Sequence, residues 1–170
     1  MSKILFYGYG NPGRQDDGLG VLCAEKIKQW ATENLPDNTI DVDTNYQLNI
    51  EDAEKMSHYD IVIFADASQE KIRQYELSRL KPSPTQVEFT MHAVSPAYVL
   101  HLCQNLFEKK PVTYLLHLRG YAWQFNQKPT HQALENLSAG FDAVRELILN
   151  DLLPQSKNHG SFNHLHGIKA

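Results

Sequence analysis

The chain has 170 residues, is 42% hydrophobic and 21% charged, and carries a formal net charge of −4. This size suits one domain, and the apolar content excludes a largely disordered chain. No segment approaches about 20 consecutive apolar residues, so no membrane span is expected. The slightly acidic balance, without a basic stripe, argues against a nucleic-acid binder.

Strand and helix patterns alternate along the first part of the chain. We predict short buried strands at 4–7 and 61–65, and a strand at 39–43 in which Ile40 and Val42 alternate with acids. We also predict a helix at 18–35 and a second helix at 50–57 capped by Asn49. The continuous apolar run from Ile61 to Ala65 is typical of a parallel strand buried on both faces.

The second part repeats this alternation. Weaker strand patterns cover 75–80 and 86–91, and a stronger one covers 112–118. Ser95 and Pro96 predict the start of a helix, as does Thr130. The predicted fold is a single three-layer α/β domain, phosphorylase/hydrolase-like, with a mostly parallel sheet and helices on both faces. We expect the domain to span 1–153, followed by a polar, disordered tail at 154–170.

The first loop contains a glycine pattern that is also found in dinucleotide sites. Gly8, Gly10 and Gly13 fit G-x-G-x-x-G after a strand. However, four residues separate the last glycine from the helix, and Asp16 and Asp17 would repel a pyrophosphate. The two aspartates suit a cation or acid–base chemistry, but helix capping would explain them equally well.

Two more polar residues follow predicted strands. Asp66 comes after the buried strand at 61–65, and His92 comes after the segment at 86–91. Taken singly, Asp66 would be a turn or cap residue and His92 a histidine bonded to a backbone carbonyl. If the strands are parallel, however, Asp17, Asp66 and His92 lie at one sheet edge. Two carboxylates and an imidazole would then form an open site for zinc or nickel.

These motifs resemble those of the hydrogenase maturation endopeptidases. The resemblance rests on the string from Gly8 to Val21 (GYGNPGRQDDGLGV), on Ala65-Asp66-Ala67, and on His92 seven residues before Val99. It implies a protease that removes a C-terminal extension from the large-subunit precursor of a nickel-iron hydrogenase after nickel insertion. It further implies that Asp17, Asp66 and His92 bind a metal and that Asp16 is a neighbouring acid, so these four are the candidate catalytic residues.

The resemblance has two departures and leaves the mechanism open. The family often has Glu where this chain has Asp17, and many members have a Gly-rich stretch where this chain has residues 44–47. The loop at 44–47 should border the cleft, so this second difference bears on which precursor is cut rather than on the type of reaction. Nickel presented by the precursor would guide recognition, or a bound ion would polarise the peptide carbonyl. Zinc or cadmium would serve as a surrogate ion.

Other functions compete with this interpretation. A peptidyl-tRNA hydrolase has a similar opening, but the histidine motif expected shortly afterwards is missing here. A nucleotide-binding module is opposed by the acids. A nickel-handling protein without catalysis would use the tail residues His159, His164 and His166. We interpret the remaining histidines as structural or surface residues; they are His58, His101, His117 and His131.

The sequence also predicts the cellular compartment and the partners of the protein. Two cysteines, both in helical patterns, do not form a disulfide framework, and the N-terminus does not resemble a signal peptide. We therefore expect a cytoplasmic monomer whose partner is a hydrogenase large-subunit precursor and which binds neither nucleic acid nor membranes.

Overall fold

The structure is a computed structural model that describes residues 2–85 and 94–154. No helix within these ranges combines the length and apolarity needed to cross a membrane. Strands and helices alternate as predicted. The elements in chain order are β1 (Ile4–Tyr9), a 3-10 turn (Gln15–Gly18), α1 (Leu19–Asn34), β2 (Ile40–Asn45), α2 (Asp52–Ser57), β3 (Ile61–Ser68), β4 (Tyr75–Arg79), α3 (Pro96–Phe107), β5 (Val112–Arg119), α4 (His131–Leu147) and a π-helical segment (Ile148–Leu152).

The described strands form one sheet in the order β2-β1-β3-β5-β4. The first four strands in this order are parallel, and β4 pairs antiparallel with β5 at the edge. This confirms the mostly parallel sheet. The chain leaves β1 toward one side through α1 and β2, and then crosses to β3 on the other side. The carboxyl ends of β1 and β3 therefore flank a switch point, where open α/β sheets bind their ligands.

Helices cover both faces of the sheet, which confirms the three layers. Alternate residues of each strand enter different cores, so that Phe6 and Ile63 pack with α1 and α4, whereas Tyr7 and Phe64 pack with α2 and α3. This alternation follows from the two-residue period of a strand. Continuous apolar runs in β1 and β3 are required because both faces of these strands are buried.

Two glycines allow α1 to lie directly against the sheet. A Cβ atom on Gly20 would lie 2.3 Å from the Ala65 carbonyl oxygen and 2.6 Å from that of Tyr9. A Cβ atom on Gly8 would lie 2.1 Å from the Gly20 carbonyl oxygen. Gly8, the first glycine of the pattern in the first loop, is therefore required for close packing of backbone on backbone.

Two local predictions were wrong. β3 does not end at Ala65 but continues to Ser68, because its pairing with β5 extends through Asp66, so this aspartate lies within the strand. Asn49 does not cap α2 through its side chain. Instead, its backbone N–H donates to the Asp52 carboxylate at 2.8 Å, and the Tyr7 hydroxyl donates to the same carboxylate.

The two helix starts predicted from Ser95 and Thr130 are confirmed. The Ser95 hydroxyl accepts the Tyr98 N–H at 3.2 Å, and the Thr130 hydroxyl accepts the Ala133 N–H at 3.3 Å. The strand predicted at 86–91 and the tail predicted after Pro154 lie outside the described residues, as do His92 and the tail histidines. Those predictions stay predictions.

Candidate functional site

A cleft of about 610 Å³ lies at the carboxyl edge of the sheet, where β1, β3 and β5 approach the start of α3. It contains Asp17 and Asp66, two of the predicted site residues. The described residues that line it are Tyr9, Gly10, Arg14, Asp17, Tyr46, Gln47, Leu48, Asp66, Leu80, Val94, Ser95, Pro96, Ala97, Leu115 and His117.

Asp17 is held in the cleft by a tight loop. Its Oδ2 atom accepts the Asn11 backbone N–H at 2.9 Å, and its own N–H donates to the Arg14 carbonyl at 3.1 Å. Gly10 has a φ of 135°, and a Cβ atom there would lie 2.1 Å from the Asp17 carbonyl oxygen. The second glycine of the first loop therefore brings the backbone close to Asp17, and no phosphate is needed to explain it.

Asp16 does not line the cleft. Its side chain is 0% exposed. Its Oδ2 atom accepts the N–H groups of Tyr121 and Ala122 at 2.7 and 3.1 Å, and also the Thr130 hydroxyl at 2.8 Å. Its Oδ1 atom accepts the Thr130 N–H at 2.7 Å.

The contacts of Asp16 join the first loop to the segment that follows β5. The Asp16 N–H adds a fifth bond, to the Ala122 carbonyl, at 3.1 Å. Neither the 3-10 turn nor α1 has a side-chain cap, so helix capping does not account for the pair of aspartates. These contacts allow Asp16 to position the loop that carries Asp17, and its predicted catalytic role stays a prediction.

Asp66 and His117 are direct neighbours across the β3–β5 pairing. Asp66 comes two residues after Phe64 and His117 two residues after Leu115, so both lie on the sheet face that packs with α2 and α3. Both also line the cleft. The prediction that His117 is a structural or surface residue did not include this place in the cleft lining. Its strand phase indicates the correct face, but its place beside Asp66 depends on a strand order that local patterns do not contain.

The environment of His117 favours a neutral imidazole. Burial lowers its pKa below the usual 6.5, and the carboxylates of Glu70 and Glu76 oppose this change. Glu76 is the antiparallel partner of His117 on β4. Because burial is the larger effect, a nitrogen lone pair is available at neutral pH.

The donor groups of the cleft suit a divalent cation only in part. Two carboxylates supply oxygen ligands, which accept zinc, nickel or harder ions. Within the described ranges, no three His, Cys, Asp or Glu side chains are placed so that they could hold a metal ion. The third predicted ligand, His92, lies outside those ranges, so the predicted set of Asp17, Asp66 and His92 is untested.

The architecture and the cleft define an α/β protein whose site lies at the switch point of a parallel sheet. No protein-family profile and no curated protein matches the sequence. Among solved structures, the chain is similar to the [NiFe] hydrogenase maturation protease HycI from Thermococcus kodakarensis KOD1. The identity is 20%, the TM-score is 0.68, and the match covers 88% of this chain and 94% of that one.

Two further structures from other organisms have the same fold. The hydrogenase maturating endopeptidase HybD from E. coli matches at 20% identity with a TM-score of 0.67, covering 86% of this chain and 92% of its own. The hydrogenase 2 maturation peptidase from Thaumarchaeota archaeon SCGC_AB-539-E09 matches at 20% identity with a TM-score of 0.61, over 86% and 97% of the two chains. The fold of this protein is that of the hydrogenase maturation proteases.

Proposed function

We propose that this protein is an endopeptidase that removes the C-terminal extension of a nickel-loaded [NiFe]-hydrogenase large-subunit precursor. The observation that carries the proposal is the position of Asp17 and Asp66. Both carboxylates line one cleft at the switch point of a fold shared with several hydrogenase maturation proteases. The sequence motifs that resemble this family lie on the same loop and strand.

The chemistry of the cleft supports peptide hydrolysis at a metal centre. Asp17, Asp66 and His92 would hold the ion, which supplies Lewis acidity toward the peptide carbonyl when it is bound. We propose that this ion is nickel carried by the precursor. The Asn11 N–H donates to one oxygen of Asp17, so this carboxylate is already oriented before substrate binds. His117 offers a further hydrogen-bonding group beside Asp66.

We propose that the protein works in the cytoplasm as a monomer. Cys23 and Cys103 are both buried and unpaired, which suits a reducing compartment. Burial also raises the pKa of the Cys23 thiol to about 12, so this group is inert as a nucleophile at neutral pH. A cysteine-protease mechanism based on Cys23 is therefore not supported.

The direct test is a processing assay followed by mass spectrometry. The protein is mixed with large-subunit precursor of the same organism, loaded with nickel or metal-free, and C-terminal shortening is measured. We expect cleavage of the nickel-loaded form only. Asp17→Asn, Asp66→Asn and His92→Ala should each slow cleavage at least about 100-fold, because even groups that only support metal ligands typically contribute 10–100-fold.

Asp37→Asn is the matched control, since Asp37 is exposed and lies away from the cleft. It should cleave as the unmodified protein does. Wild-type rates in all three site variants would refute the assigned site. Nickel transfer or binding without any shortening of the precursor would instead indicate an accessory protein that handles the metal.

A further inference from the structure

Arg14 is a cationic residue that lines the cleft, and none of the proposed roles uses it. It belongs to the same loop as Asp17 and lies half-buried in the cleft lining. Among the described lining residues it is the only lysine or arginine. Within the described ranges its side chain makes one hydrogen bond, from Nε to the Trp123 carbonyl at 3.2 Å, and no ion pair.

The guanidinium group is held in place before any ligand binds. Its central carbon lies 5.8 Å from the centre of the Phe125 ring. The Asn126 N–H donates to the Gly13 carbonyl at 2.9 Å, and the Gln124 N–H donates to the Gln15 side chain at 3.1 Å. These bonds fix the segment that supports Arg14, so less conformational entropy is lost when the side chain binds a partner.

The geometry and charge of Arg14 favour a carboxylate as ligand. Since Nε is bonded to Trp123, the Nη1 and Nη2 groups remain as a planar pair of donors, which matches the two oxygens of a carboxylate. Asp17 and Asp66 line the same cleft and would repel a doubly charged phosphate more strongly than a singly charged group. A peptide carboxylate satisfies both conditions.

We propose that Arg14 binds a carboxylate of the substrate chain and thereby determines which peptide segment enters the cleft. This rests on the proposed endopeptidase function. The carboxylate belongs to an Asp or Glu side chain near the cleavage site or to the free C-terminus of the extension. Because Arg14 and Asp17 are on one short loop, the bound carboxylate is held at a defined distance from the Asp17 carboxylate, which the proposed function assigns to the metal ion.

The first experiment measures binding without cleavage. A synthetic peptide with the sequence of the precursor's C-terminal extension and its preceding residues carries a fluorophore at its N-terminus, and its anisotropy is titrated with protein. Arg14→Gln should raise the Kd about 10- to 100-fold, the effect of losing a charge-assisted hydrogen-bonding pair. The Kd of Arg14→Lys should lie between those of Arg14→Gln and the unmodified protein, since lysine keeps the charge and loses the planar donor pair.

Modified peptides distinguish the two sources of the carboxylate. If the C-terminus is the ligand, the amidated peptide binds as weakly to the unmodified protein as the free acid binds to Arg14→Gln. If a side chain is the ligand, replacing the acidic residues by their amides has this effect and C-terminal amidation has none. In either case the peptide that lacks the carboxylate should no longer distinguish Arg14→Gln from the unmodified protein.

Arg79→Gln is the matched control. Arg79 also lies over an aromatic ring, 5.7 Å from the centre of Tyr114, but it does not line the cleft. The Kd of Arg79→Gln for the peptide should equal that of the unmodified protein. Urea midpoints of all variants, together with the partial activity of Arg14→Lys, separate loss of binding from loss of folding.

Cleavage kinetics test the same assignment with the nickel-loaded precursor. Arg14→Gln should raise KM with little change in kcat, as expected for a group that binds the substrate and transition state alike. A fall in kcat at constant KM would overturn the proposal, because it would assign Arg14 to the transition state. If the unmodified protein cleaves the precursor and Arg14→Gln has the same KM, only this inference fails. If the unmodified protein cleaves nothing, the proposed function fails and the inference with it.

Discussion

Replacing Asp16 by asparagine tests whether this residue organises the loop that carries Asp17. The substitution preserves side-chain size but exchanges one carboxylate oxygen for an NH₂ group. All the side-chain partners of Asp16 are donors: the N–H groups of Tyr121, Ala122 and Thr130 and the Thr130 hydroxyl. An amide nitrogen in place of Oδ1 would face the Thr130 N–H, so two donors would meet without an acceptor.

The expected loss of stability follows from these contacts. One buried donor left unsatisfied costs about 1–3 kcal/mol. The remaining hydrogen bonds lose their charge assistance, which is worth up to about 1 kcal/mol each. Burying a neutral amide instead of a carboxylate offsets part of this loss, because the charge is no longer desolvated. We therefore expect Asp16→Asn to lower the free energy of unfolding by about 2–4 kcal/mol.

Urea unfolding followed by tryptophan fluorescence measures this loss. With a slope near 2 kcal/mol/M, typical of a domain of this size, the midpoint should fall by about 1–2 M. Asp17→Asn is the matched control on the adjacent residue. It is half-buried and its side chain accepts one described bond, from the Asn11 N–H, so its loss should stay below about 1 kcal/mol. Equal losses in the two variants would refute the assigned role of Asp16.

Two further predictions concern the cleft. Gly10→Ala should destabilise the protein by more than about 2 kcal/mol, because it combines a φ of 135° with a Cβ atom 2.1 Å from the Asp17 carbonyl oxygen; a urea midpoint like that of the unmodified protein would contradict this. Burial lowers the pKa of His117 in the folded protein below 6.5, so the unfolded chain binds a proton more readily than the folded one. His117 therefore lowers the free energy of unfolding as the pH falls below about 6.5, and it has no such effect at higher pH. His117→Gln should therefore flatten the loss of unfolding free energy between pH 7 and pH 5, measured with a chelator present, and an unchanged slope would show that His117 does not contribute.

Local patterns in the sequence predicted much of the fold. The apolar run at Ile61 and the capping residues Ser95 and Thr130 each depend on interactions within a few residues, so their structural roles can be inferred from the sequence alone. The extension of β3 through Asp66 depends on pairing with a strand that comes much later in the chain, and no local pattern records it.

The candidate site was predictable to a smaller extent. Asp17 was identified from the motif in the loop between the first predicted strand and helix, and Asp66 because it follows the predicted strand at 61–65. The different orientations of Asp16 and Asp17 could not be predicted, since they depend on donors in the loop before α4, more than 100 residues away. His117 was interpreted as a structural or surface residue because the sequence pattern offered no matching acid, whereas Asp66 lies beside it only through the β3–β5 pairing.

The hydrogen bonds of Asp16 also have a consequence for the order of events during synthesis. They join residues that are 105 to 114 positions apart in the chain. At about 5–20 residues per second, a ribosome adds Thr130 roughly 6 to 23 s after Asp16. Throughout that interval the nascent chain already contains the first loop but not the donors that fix it. The cleft is therefore completed only after the polypeptide has been extended to the start of α4.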